Sequence, residues 1–315
     1  MWRLCLVALG ACGRIAFDPV SLATTDGAPG DGMIGDGAIG ACSQWGPFGP
    51  PEHLVALGST TDDWGPSATS DGLTMFLYSN RPGTLGGFDI WMATRASTSV
   101  GFGAVVDVPV INSAMEERGP WISSDGLTLG FSSLRGGGPG GLDLWTATRP
   151  DQASGFGAPT LLPNVNAAQD ELGANLSANG LRLYIASTRA GGGNFHLYVA
   201  ERATATSAFG VPVAIAGLNS TADDRDIAVS ADELEAFIVT NRAGSAGYDI
   251  YTATRPDLAT PFSTPAPVPG INSALDETSP DISPDGTTLY YNYNAVLAGG
   301  DSEIYKTVRA CLMMR

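Results

Sequence analysis

Residues 70–95 read SDGLTMFLYSNRPGTLGGFDIWMATR. They contain an Asp-Gly turn, an apolar strand, a Gly-rich connection and a second strand with an aromatic near its centre. The unit recurs along the chain: its turn dipeptide falls at Asp71-Gly72, Asp125-Gly126, Asn179-Gly180, Asp232-Glu233 and Asp285-Gly286, at spacings of 54, 54, 53 and 53 residues. A fixed period of this kind marks one supersecondary unit whose copies bury their apolar faces against each other. An acidic doublet precedes each turn, at Asp62-Asp63, Glu116-Glu117, Asp170-Glu171, Asp223-Asp224 and Asp276-Glu277. A further strand follows a short loop, with copies AVVDVPVIN, PTLLPNVN, VPVAIAGLN and TPAPVPGIN. Four strands in about 53 residues, with an Asp-Gly or Asn-Gly hairpin where a type I′ turn is expected, describe a propeller blade.

Counting strands predicts closure. Five copies of the first three strands occur, but only four copies of the fourth follow a third strand. The missing copy stands at the front, where GPFGPPEHLVALGSTTDD matches GFGAPTLLPNVNAAQDE. The N-terminal strand, about residues 50–57, is therefore expected to complete the last blade beside residues 303–309, which removes an exposed sheet edge. The fold class is all-β: a five-bladed β-propeller closed by its N-terminal strand, with a six-bladed ring or an open array as alternatives. In repeat coordinates Cys42 and Cys311 fall where an intact blade joins its third and fourth strands. A disulfide between them is expected to replace that covalent link, in an oxidising compartment.

Composition limits function. With 32 acidic and 16 basic residues, a formal charge of -16 and a pI near 4.3, a nucleic-acid partner is excluded. No run of 18 apolar residues is present to span a bilayer. The opening MWRLCLVALGAC ends in Leu9, Gly10, Ala11 and Cys12, and resembles a bacterial lipoprotein signal. That resemblance implies that residues 1–12 are a signal peptide, that Cys12 carries lipid, and that the protein is exported to the outer membrane or cell envelope. Residues 13–43 are rich in Gly and Asp and read as a flexible tether, leaving 44–315 for the propeller.

The repeat SDGLTMFLYSNRPGTLGGFDIWMATR, with SPDGTTLYY in the fifth copy, also resembles the WD-like repeat of TolB-type propellers. The resemblance implies a binding scaffold in the periplasm or at the cell surface, with no catalytic residues to carry over. The departures are His196 in place of the third-strand Asp, Asp232-Glu233 at the turn, and Ala295 where other copies have Arg. Those blades are expected to be looser.

Several candidate sites follow. Arg81, Arg135, Arg189 and Arg242 are expected to fold back onto Asp89, Asp143, His196 and Asp249 across the second hairpin. The third-strand aromatics Trp91, Trp145, Tyr198, Tyr251 and Tyr305 are read as core. The doublets Asp62, Asp63, Glu116, Glu117, Asp170, Glu171, Asp223, Asp224, Asp276 and Glu277 precede the innermost strand, and are expected to place carboxylates around one mouth of the central channel. There they are available to a cation or a basic peptide, or else to backbone N–H groups of the turn. Binding specificity is sought where the copies differ at equivalent positions. Trp64, Arg118 and Arg225 belong to one such set, and Trp121, Asn175 and Asp281 to another. No cofactor is expected. The sequence contains no GxSxG elbow, CxxC or zinc-binding His pair, so the chain is read as a non-enzymatic, lipid-anchored scaffold for an envelope protein or peptide. A carbohydrate-binding propeller, either lectin or glycoside hydrolase, is the alternative.

Overall fold

The computed structural model describes Cys42, residues 44–294 and residues 301–312. The signal with Cys12, the tether apart from Cys42, and Ala295 lie outside the described residues.

Among the described residues twenty strands form five four-stranded antiparallel sheets. Blade 1 contains β2 (Asp63–Ala68), β3 (Thr74–Ser79), β4 (Asp89–Thr94) and β5 (Val106–Asp107). Blade 2 contains β6 (Glu117–Ile122), β7 (Thr128–Ser133), β8 (Asp143–Thr148) and β9 (Thr160–Leu161). Blade 3 is β10 (Glu171–Leu176), β11 (Arg182–Ser187), β12 (His196–Glu201) and β13 (Val213–Ala214). Blade 4 is β14 (Asp224–Val229), β15 (Glu235–Thr240), β16 (Asp249–Thr254) and β17 (Ala266–Pro267). Blade 5 takes β18 (Asp276–Ile282), β19 (Thr288–Asn294) and β20 (Ser302–Val308) from the end of the chain, and β1 (Glu52–His53) from its beginning. Glu52 pairs with Lys306 and His53 with Tyr305, so the ring closes as the repeat count requires. Cys42 and Cys311 form the disulfide, 269 residues apart in sequence, and Trp45 bridges Cys311 beside it.

The apolar core is divided among the seams. Each of the five buried clusters draws on two neighbouring blades: Phe76 and Ile90 of blade 1 pack with Leu129 and Phe131 of blade 2, and Leu57 and Ile304 of blade 5 with Leu77 and Trp91 of blade 1. A lone blade leaves both faces exposed, which is why closure matters energetically.

Two Arg series brace the blades. At the end of each third strand Arg95, Arg149, Arg202, Arg255 and Arg309 donate Nε–H to the carbonyl of Gly72, Gly126, Gly180, Glu233 and Gly286. Each lies over a phenylalanine, with Arg95 4.4 Å from the Phe102 centroid. The second series corrects the sequence expectation. Arg135, Arg189 and Arg242 pair with Glu117, Glu171 and Asp224 at 2.8, 3.0 and 2.7 Å, and Arg81 pairs with Asp63. Their partners are thus the second acids of the doublets, and each guanidinium also donates to a loop carbonyl such as Ile111. The third-strand acids cap the Gly-rich hairpin instead: the Leu85 N–H donates to Asp89 at 2.6 Å.

The first hairpin also departs from expectation. Only its second turn residue has positive φ, 66° at Gly72 and 59° at Glu233, and the Gly72 N–H donates to the Thr69 carbonyl. The Asp71 carboxylate accepts from Leu73 N–H and Thr69 Oγ1–H. Because Ala68 pairs with Met75, the loop is longer than the two residues of a type I′ turn. Glu233, expected to loosen blade 4, is buried, and its carboxylate accepts from Tyr184 Oη–H at 2.6 Å and from Arg182.

Candidate functional site

Each innermost strand carries a β-bulge at the same place, between Trp64 and Ser67 in blade 1 and between Thr278 and Asp281 in blade 5. The bulge residue has positive φ in every blade: 62° at Gly65, 54° at Gly119, 56° at Gly173, 46° at Asp226 and 52° at Ser279. The bulges lie around a central channel with a cavity volume of about 40 Å³. Ser67, Trp121, Asn175, Asp226, Ser279 and Asp281 are among the residues that line it.

Inside the channel the blades differ. Asn175 accepts the Val229 N–H at 3.2 Å, and Asp281 accepts the Ala68 N–H at 2.9 Å, each tying its blade to the next. Asp226 reaches Ser279, whose N–H and hydroxyl both donate to its Oδ2. Burial pushes the Asp281 carboxyl up to about 7, with only the Ala68 N–H opposing it. Burial also raises Asp226, against Arg225 and the Ser279 bonds. Trp121 is 3% exposed and packs into the seam with blade 3 beside Leu144, Val165 and Tyr198, so it is not an exposed anchor. Its indole covers Gly130, where an added Cβ would stand 2.0 Å from the ring, and its Nε1–H has no acceptor among the described groups.

At the mouth, Trp64 and Leu172 are half-buried and Thr278 is buried. Arg118 pairs with Glu116 at 2.5 Å and stacks over Phe88. Arg225 binds Asp223 and the Tyr248 hydroxyl, which itself donates to Asp223 at 2.7 Å. Burial pulls the Asp223 carboxyl up, but the bonds from Tyr248, Arg225 and the Phe195 N–H outweigh it and hold the group below the usual range. Burial, reinforced by Asp223, pushes the Tyr248 phenol up to about 12. Tyr78, opposite Trp64 in register, is raised by burial and by the Asp226 carboxylate, with Arg118 and Arg225 opposing. Blades 1, 2 and 4 thus place unlike charged and aromatic groups within electrostatic reach of one another.

Of the two uses expected for the doublet carboxylates, an open ring at the mouth or acceptors of backbone N–H groups, the fold builds the second. The second acids Asp63, Glu117, Glu171, Asp224 and Glu277 are fully buried. Among the first acids, Asp62, Asp170, Asp223 and Asp276 accept N–H groups of Ser302, Leu142, Phe195 and Tyr248, and Glu116 holds Arg118. They have been taken up by seams and hairpins, as backbone N–H groups left without partners at these turns require. Among the described residues no group of three or more His, Cys, Asp or Glu is arranged to hold a metal ion.

Sequence reasoning missed Tyr78, Asp226 and Tyr248. A signal for Asp226 was present: aligned on the turns, the bulge position reads Gly65, Gly119, Gly173, Asp226, Ser279.

No protein family and no curated protein sequence matches the chain. Solved structures match its fold. A thermostable family-43 glycoside hydrolase is 14% identical at a TM-score of 0.58, covering 84% of this chain and 94% of that one. The family-43 endo-arabinanase from Bacillus licheniformis is 12% identical at a TM-score of 0.52, covering 79% and 94%. TolB from Acinetobacter baumannii is 15% identical at a TM-score of 0.49; 81% of this chain is covered, but only 56% of that protein. At such identities the likeness is one of fold. It corrects the reading of the chain as a non-enzyme, which took motif absence for absence of activity: nearly the whole length of glycoside hydrolases superposes on this propeller. The fold is shared with the glycoside hydrolases.

Proposed function

We infer that this chain is an exported, lipid-anchored propeller of the outer membrane or cell envelope, and that it acts as an interaction scaffold whose partner protein or peptide docks on the channel mouth. One observation carries the reading. Five positions with equivalent backbone hold Trp64, Arg118, Leu172, Arg225 and Thr278, while the bracing of the blades falls to arginines at other, repeated positions. Unlike groups converging on one concave mouth are what selective recognition needs. The test is capture from envelope extract with the full-length chain. Specific capture that weakens at least tenfold with Arg225→Ala or Trp64→Ala supports the reading; capture unaffected by either removes the mouth from it.

The channel carboxylates favour a second reading, a carbohydrate-binding or carbohydrate-processing propeller. Two structural neighbours were solved with cellotriose and xylotriose, an α-L-arabinofuranosidase and a GH62 hydrolase. Asp226 and Asp281 give this chain two channel carboxyls, one of them poised near neutrality as an acid-base group requires. Turnover of mixed polysaccharides that is abolished by Asp281→Asn establishes this reading.

A further inference from the structure

In blades 1 to 4 a covalent loop joins the third strand to the fourth, whereas the fourth strand of blade 5 comes from the beginning of the chain. Residues 44–54 lie along residues 304–312 as the outermost strand of that sheet, bonded on one side only. The ladder begins beside Cys42. Leu312 N–H donates to the Gln44 carbonyl at 2.8 Å, Gly46 N–H to Ala310 at 2.9 Å and Gly49 N–H to Val308 at 2.8 Å, ahead of the pairs made by Glu52 and His53. A pull on the chain before Cys42 therefore meets this ladder at its end. Bonds loaded there break one after another, each modest on its own, and an edge strand held in this way peels.

The disulfide stands ahead of the first of those bonds. It passes a load from Cys42 to Cys311 without engaging residues 44–54, and from Cys311 the chain leads directly to Arg309. Here blade 5 differs from the others. All five third-strand arginines bind a turn carbonyl, but among the described residues only Arg309 also forms an ion pair, with Nη1 and Nη2 donating to Glu235 of blade 4 at 2.9 and 2.5 Å. Glu235 is itself an exception, since the equivalent residues are Thr74, Thr128, Arg182 and Thr288. Arg309 is buried, with Trp45 at 4.3 Å and Phe48 at 4.8 Å over its guanidinium, both from the closing segment. Charge-assisted, two-pronged bonds of this kind are among the strongest a side chain makes. Strand β20 is also bonded on both sides, to β19 from Ser302 to Val308 and to β1. Drawing it out breaks two ladders and the ion pair together. The corner at which a load enters thus has bracing that the other four corners lack.

We propose that this corner is a load clamp: a pull arriving along residues 1–41 passes through the disulfide to Arg309 and on into blades 4 and 5, so that the closing strand carries none of it and the ring stays shut. With the disulfide open, the same pull falls on the Gln44 end of the ladder and β1 peels away. The proposal rests on the anchored reading, which fixes the chain at its N-terminal end, and adds to it a closure that depends on oxidation.

The test holds the full chain in an optical trap between its N-terminus and a peptide tag inserted in the exposed Gly191–Gly193 hairpin, where the glycines meet nothing within 4 Å. Oxidised wild type is expected to show no step before the propeller opens. Cys42→Ser, and wild type treated with a phosphine reductant, are expected to show an added step at half that force or less, lengthening the chain by up to about 40 Å, the extended length of residues 44–54. Glu235→Thr, which installs the residue of blades 1, 2 and 5, is expected to lower the opening force of the oxidised chain by about a third. The added step in oxidised wild type, or its absence from both Cys42→Ser and the reduced wild type, overturns the clamp. An unchanged opening force in Glu235→Thr overturns the path through Arg309. Mass spectrometry of the envelope fraction tells these failures from failure of the anchored reading: a chain without lipid on Cys12 removes the anchor and the load with it, and a lipidated chain without the force steps removes the clamp alone.

Discussion

Blades 1 to 4 and blade 5 are built on the same template, yet they treat the same buried acid in opposite ways. In blades 1 to 4 it meets an arginine, and in blades 2 to 4 a serine or threonine hydroxyl as well, as Glu117 meets Arg135 and Ser133. By sequence position blade 5 has Tyr293 in place of the hydroxyl and Ala295 in place of the arginine, and among the described residues the hydrogen bonds to Glu277 come from the N–H and hydroxyl of Ser273. Burial lifts Glu277 to about 7. Burial raises Glu171 as well, but there Ser187 and Arg189 work against it. Blade 5 also contains Asp281, the other carboxyl lifted to about 7, and Gly58 where the other blades place an asparagine that bonds the third strand. The blade that closes the ring thus keeps the Arg309 brace but, among the described residues, not the ion pair of the buried acid. The disulfide and the N-terminal strand hold it instead, while its neighbours rely on ion pairs.

The sharpest way to break this comparison is to remove one of those ion pairs. Arg135→Ala leaves Glu117 buried without its counter-ion and is expected to cost about 3–5 kcal/mol in urea unfolding. A loss below about 1 kcal/mol shows that blades 1 to 4 do not depend on the pair.

Next in size is the closure of blade 5. Cys42→Ser is expected to cost about 2–4 kcal/mol, read as a lower melting temperature in oxidising buffer with little change in a reduced sample. Equal losses in both buffers contradict a role for the disulfide.

Smaller still, and of opposite sign, are Glu277→Gln and Asp281→Asn. Both carboxyls are neutral in folded and unfolded chains below about pH 4, where they cost nothing. As pH rises from about 4 to 7 the unfolded chain ionises first, so stability declines; above 7 the penalty is complete. Each substitution is expected to gain roughly 1–3 kcal/mol at pH 8 and nothing at pH 4 relative to wild type. A loss at pH 8 identifies a counter-ion for that carboxylate.

The smallest effect tests strain outside the comparison. Val110, after the fourth strand of blade 1, is β-branched, 60% exposed and at a φ of 72°, where the equivalent residues after the fourth strands of blades 3 and 4 are Gly217 and Gly270. Val110→Gly is expected to stabilise by about 1 kcal/mol by thermal melting; destabilisation shows that the side chain makes a contact that matters.

Much of the fold was legible because it is written in local repeats. The Asp-Gly turns, the strand period and the displaced fourth strand gave blade number and closure, and the offsets of Cys42 and Cys311 within the repeat gave the disulfide. Partner choice was less legible. Arg135 stands eight residues before Asp143 and eighteen after Glu117, and sequence distance favoured the nearer acid; the antiparallel pairing of Glu117 with Ser133 brings the farther one alongside. Trp121 looked like a surface anchor because the sequence does not say that Gly130 faces it and makes room for the ring.

The sequence by itself determined the number of blades, the closing strand and the pairing of two cysteines, since each follows from a period counted along one chain. Only the tertiary structure decided where the charges go. Whether an acid is bound into a hairpin, paired with arginine or left alone in the channel depends on which groups the ring brings together from distant turns. Asp226 meets Ser279, and Asp281 meets Ala68 across the closure, through contacts no local pattern contains. Burial then sets the ionisation of each according to the partners it finds there.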